Sequence, residues 1–87
     1  MAKSKTPAKR IRQAERSKLR NMARKSAMKT AIKKFETAVA SKNVDLARES
    51  LVMATSIIDR NAARGIIHRN TAARKKSRLA RKLNNIA

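Results

Sequence analysis

A single glycine, Gly65, and a single proline, Pro7, are the only strong backbone breakers in 87 residues. Without Gly and Pro a chain has little means of making tight turns, so it folds into a few long elements. Ala, Lys, Arg and Leu fill the space between, and all of them favour helix. Thr6 followed by Pro7 reads as an N-cap and first helical position, and nothing interrupts the chain again until Ser41-Lys42-Asn43. These signals predict a basic tail over 1–6, a first helix over about 7–41, a second over 44–63 and a third over 70–85. Asn43 caps the second helix, with Asp45 near its positive dipole end, and Gly65 lies just past its close. Between His68 and Asn70, Asn70 is the better cap for the third by chemistry.

Apolar residues recur at helical spacing in all three segments. Met28, Ala31, Ile32, Phe35, Ala38 and Val39 form the stripe of the first. Val44, Ala47, Leu51, Ala54, Ile58 and Ala62 form that of the second, with Ile57 beside it. Ala72, Leu79, Ala80, Leu83 and Ile86 form that of the third, with Lys76 intruding and snorkelling outward. Three stripes and two short connections define an all-α antiparallel three-helix bundle, one domain in all. The second helix returns roughly 30 Å along the first, at ~1.5 Å per residue. It therefore reaches only the level of residues 20–24, where the first stripe also stops and Asn21, Arg24 and Lys25 take over that face. Residues 7 to about 22 overhang the bundle.

Charge bears on function. Lys and Arg number 24 against 5 acidic residues, a formal net charge of +19. Residues 1–42 carry 14 basic and 2 acidic residues, residues 43–63 carry 2 and 3, and residues 64–87 carry 8 and none. Two strongly basic segments flank a nearly neutral one. Such a body repels itself unless a polyanion neutralises it, and nucleic acid is the first candidate partner.

The overhang holds Lys9, Arg10, Arg12, Arg16, Lys18 and Arg20, with Glu15 as its one acid. Most of these share a broad arc, while Lys18 points to the opposite side, which describes a rod set among phosphates. Lys3 and Lys5 precede it, and Arg24 and Lys25 follow. On the third helix Arg74, Lys75, Arg78, Arg81 and Lys82 fall within about 120° of arc. Arg69 and Asn70 stand at its start. Arg pairs bidentately with phosphate oxygens, so this is a flat phosphate-binding face. The only aromatic residue, Phe35, belongs to the core stripe, so no base-stacking platform exists and recognition works by shape and backbone charge, with any base contacts made by Arg or Asn.

Other chemistries find little support. There is no cysteine, so thiolate metal sites and disulfides are excluded. The lone His68 reads as a turn residue, and Asp45 with Glu49 as a solvated first turn. No nucleophile–base pair or Gly-rich phosphate loop is present, so neither an enzyme nor a cofactor or metal is expected. No apolar run approaches the ~20 residues of a membrane span. The basic N-terminus lacks the apolar segment of a secretory signal. It has the composition of a transit peptide, but that composition continues to residue 34 and returns at the C-terminus. A membrane-active cationic helix is disfavoured, because the first half of helix 1 has no apolar face. A DNA-compacting architectural protein is the principal alternative.

The residues from Ala63-Arg64-Gly65-Ile66-Ile67-His68-Arg69-Asn70-Thr71-Ala72 through Ala73-Arg74-Lys75-Lys76-Ser77-Arg78-Leu79 strongly resemble the S-twenty family of bacterial small-subunit ribosomal proteins. So do Lys9-Arg10-Ile11-Arg12-Gln13-Ala14-Glu15-Arg16 with Leu19-Arg20-Asn21, and Ile32-Lys33-Lys34-Phe35-Glu36. The resemblance spans essentially the whole chain. It implies a three-helix bundle with a long first helix, bound directly to 16S ribosomal RNA early in assembly. It further implies a monomer within a ribonucleoprotein, in the cytoplasmic ribosome and away from membranes. Periodicity supplies the overhang and the basic faces, whereas the choice of ribosomal RNA comes from the resemblance.

Overall fold

A computed structural model describes residues 8–87. The expected tail, the Thr6-Pro7 cap, Lys3 and Lys5 lie outside the described residues. Three helices follow one another: α1 (Ala8–Ala40), α2 (Val44–Ala63) and α3 (Arg69–Ile86). They form an all-α bundle in which the first helix is much the longest, 33 residues against 20 and 18. Among the described residues no helix is long and apolar enough to cross a membrane.

The core follows the stripes. Met28, Phe35 and Ala38 of α1 pack with Ala47, Ala54 and Ile58 of α2 and with Ala72 and Leu79 of α3. Phe35 and Ile58 are fully buried. Ala31, Ile32, Val39, Leu51, Ile57, Ala62, Leu83 and Ile86 close around them. The helices do not share the core equally: α2 packs along α1, α3 packs mainly on α2, and α3 only grazes α1. Ala80 departs from the expected stripe and is exposed. It sits at the stripe's far edge, about 40° beyond Lys76, where neither α1 nor α2 reaches.

Both connections are tight helix stops. After α1, Lys42 takes a left-handed backbone with φ 56°, and its amide and that of Asn43 donate to the carbonyls of Val39 and Ala38. Asn43 then serves the next helix, its side-chain oxygen accepting from the amide of Leu46 at 3.2 Å. After α2, Gly65 occupies the equivalent position with φ 75°, and Gly65 and Ile66 donate to the carbonyls of Ala62 and Asn61. Gly65 has the freedom that this conformation requires, whereas Lys42 adopts it against its Cβ.

The cap of α3 is His68, not Asn70. Its Nδ1 accepts from the amide of Asn70 at 3.0 Å, and its carbonyl from that of Ala72 at 3.0 Å. Ile67, two residues past Gly65, packs against the core, and His68 follows it in an extended conformation where the helix begins.

One polar residue enters the core. Asn61 is 2% exposed, and its amide nitrogen donates to the carbonyl of Arg24 at 3.3 Å. Its backbone carbonyl accepts from the backbone amide of Ile66. A buried amide needs such partners, and here they fix the end of α2 against one level of α1. N-terminal to Arg24, residues 8–23 of α1 are all exposed. That stretch is the overhang.

Candidate nucleic-acid interface

At ~100° per residue, the cations of α1 divide into two arcs. Lys9, Arg12, Arg16 and Arg20 lie within about 80° of one another. Lys34, five turns beyond Arg16, continues the same line onto the body of the bundle. Lys18, Lys25 and Lys29 lie about 180° away, on the other side of the helix. Arg10 falls between the arcs, on the side that faces the core further along. All of these side chains are exposed. Arg24, partly buried, marks the junction where Asn61 grips the backbone.

The basic arc of α3 joins the second of these sides. Lys82 lies 3.3 Å from Glu36 of α1, and a shallow cleft between the two helices is lined by Ile32, Glu36, Lys75, Arg78 and Lys82. Glu36 lies on the same side of α1 as Lys18, Lys25 and Lys29. Arg74, Arg78 and Arg81 border a second hollow with Ala73 and Ser77, and no carboxylate lines it. Arg69 and Asn70 stand exposed at the start of α3. The molecule therefore presents two basic faces on opposite sides of α1. One is built by the first arc alone, the other by the second arc together with α3.

The acids are few on these faces: Glu15 stands exposed in the overhang, between the two arcs. Glu36 is taken up by Lys82, and Asp59 by Lys76 at 2.8 Å. Lys76, expected to snorkel out of the apolar stripe, reaches across to α2. Asp45 and Glu49 lie on the outer side of α2, away from the core. Both ion pairs are exposed, so each contributes about 0–1 kcal/mol. Their main consequence is arrangement: two cations of α3 are partnered within the protein, while Arg74, Arg78 and Arg81 make no ion pair among the described residues.

Sequence reasoning overlooked Lys29, Lys33 and Lys34, which fall between members of the apolar stripe. For Lys34 the signal was present in its 18-residue spacing from Arg16, which is five helical turns. The pairing of Lys82 with Glu36 was not legible, because 46 residues separate them. Among the described residues no group of three His, Asp or Glu side chains gathers to hold a metal.

Comparison with known proteins gives a consistent picture. The family model described as ribosomal protein S20 matches residues 2–84. A small ribosomal subunit protein bS20 from Syntrophomonas wolfei is 54% identical over 87 residues, covering 100% of this chain and 99% of the relative. One from Clostridium botulinum (strain Alaska E43) is 52% identical, with 100% of both chains covered. One from Geobacillus kaustophilus is 49% identical, covering 99% of this chain and 97% of the relative.

Proposed function

The chain belongs to the ribosomal protein S20 family, and on that premise we propose that it is a structural protein of the small ribosomal subunit that binds 16S ribosomal RNA directly. It acts as one copy within the cytoplasmic ribosome, without catalysis or cofactor. The observation that carries this reading is the pair of acid-poor basic faces on opposite sides of α1. A single backbone can satisfy one such face. Two faces, separated by the thickness of a helix, suit two segments of folded RNA that are brought together and held there.

The chemistry of both faces is that of phosphate neutralisation. Lys9, Arg12, Arg16 and Arg20 place cations along about 16 Å of helix, at ~1.5 Å per residue. Each Lys or Arg set against a phosphate releases condensed counterions, which drives binding without regard to sequence. Arg74, Arg78 and Arg81 add planar, forked donors that fix orientation on the phosphate oxygens. With no aromatic platform, specificity comes from the spacing of the faces, which matches one arrangement of RNA backbones and not others.

Backbone footprinting on small-subunit ribosomal RNA tests this, with duplex DNA as competitor. The wild-type chain protects at least two separate RNA segments. Arg12→Ala with Arg16→Ala removes one set of protections, and Arg74→Ala with Arg78→Ala removes the other. Equal competition by duplex DNA, with no discrete footprint, would instead support a DNA-compacting role.

A further inference from the structure

The side of the bundle that carries the first basic arc also holds an apolar groove, beyond the overhang. α1 and α2 leave two adjoining hollows of about 420 and 250 Å³ between them, sharing Thr30, Lys34 and Ser50. The floor is apolar: Ala38 and Leu46 at one end, Ala31, Met53 and Ile57 at the other. Leu46 and Met53 are 47% and 62% exposed, although a wholly solvated helix face has no use for them. No carboxylate lines either hollow. Lys33 and Lys34 stand at the wall, and Lys34 continues the line of Arg12, Arg16 and Arg20.

We infer that this groove receives an unpaired nucleotide of the bound RNA, its base against the apolar floor and its flanking phosphates on Lys33 and Lys34. The inference rests on the ribosomal-RNA reading above and adds a base contact to it. Three observations favour a nucleotide over a protein helix. The first is charge complementarity: the wall is cationic and free of acids. The second is continuity, because a backbone following the first arc of α1 arrives at Lys34 and the mouth of the groove. The third is the state of the hydroxyls. Thr37 donates to the carbonyl of Lys33 at 2.9 Å, and Ser41 to that of Ala38 at 3.1 Å. With their hydrogens committed, both oxygens present lone pairs to the groove. They suit a base edge that carries an amino group, which adenine, cytosine and guanine have and uracil lacks. Met53 supplies a polarisable thioether for the face of the ring.

The test uses the full-length chain on small-subunit ribosomal RNA, with base-edge reagents for A, C and G alongside backbone cleavage. Ser50→Leu fills the groove, and Met53→Glu places a carboxylate at an exposed position where folding is not at stake. The wild-type chain protects an unpaired A, C or G. Both variants expose that base and bind more weakly, by up to about tenfold, the scale of one lost hydrogen-bonded contact. Their backbone protections along the basic arcs persist. If base reactivities are the same for wild type and both variants while the backbone footprint remains, the groove holds no nucleotide. If the groove becomes protected only when other small-subunit proteins are added, its occupant is a protein and the inference is wrong. Loss of the backbone footprint in the wild type itself would be a different failure, that of RNA binding as such.

Discussion

Phe35 is the sole aromatic residue of the chain, and the bundle closes over it completely. Its place in the middle of the Met28–Val39 stripe made that burial legible, as it did for Ile58. Truncation to alanine removes a large apolar side chain and leaves a cavity, at a cost of roughly 3–5 kcal/mol. That is a large part of what a domain of this size has. Thermal unfolding of the free Phe35→Ala variant should therefore begin well below that of the wild type. An unchanged transition would mean that Phe35 is not a core residue. Lys42 gives a prediction of opposite sign. It holds a left-handed conformation that costs a side-chain-bearing residue roughly 1–2 kcal/mol, partly offset by the greater unfolded-state freedom of glycine. Lys42→Gly should therefore stabilise the protein by about 0.5 kcal/mol, read as a small rise in melting temperature. Asn61 was harder to read. It stands on the core face of α2, seven residues past Ala54, and there was nothing in its own neighbourhood to show that its partner is the carbonyl of Arg24. His68 is the cap in place of Asn70, since it follows the core-packed Ile67 and its ring accepts from the Asn70 amide.

Among the elements, α1 is the one whose two halves obey different rules. From Met28 onward it is held by packing. Residues 8–23 are exposed on every side. An isolated helix of that length is marginal in water even with good helix formers. Like charges one turn apart, Arg12 with Arg16 and Arg16 with Arg20, weaken it further. We expect this half to fray in the free protein and to become firmly helical among phosphates, which remove the repulsion. Hydrogen exchange of the free and RNA-bound protein reads this residue by residue. The expected result is weak protection over residues 9–20 without RNA and strong protection with it, while α2 stays protected throughout. Strong protection of the same residues in the free protein would contradict the expectation. The division itself was visible in the sequence, because the apolar stripe ends where the returning α2 runs out of length. The lateral docking of α3 was not visible. It places Lys76 beside Asp59 and Lys82 beside Glu36, residues that only the folded topology brings near.

At the scale of the whole molecule, charge along the chain becomes charge on faces. The chain shows two basic segments around a near-neutral one, but not that the first segment supplies both sides of one helix and the last segment extends only one of them. Docking α3 beside Glu36 settles that, and it leaves Asp45 and Glu49 on the outer side of α2. We propose that these faces bind by phosphate neutralisation, which the salt dependence of binding to small-subunit ribosomal RNA measures most directly. Contact with about 6–10 phosphates lowers affinity by roughly 10³–10⁵ between 50 and 200 mM salt. Replacing Arg12 and Arg16 together by alanine should reduce the slope of log affinity against log salt by about two. A nearly flat salt dependence, or a slope that the double substitution leaves unchanged, would contradict it.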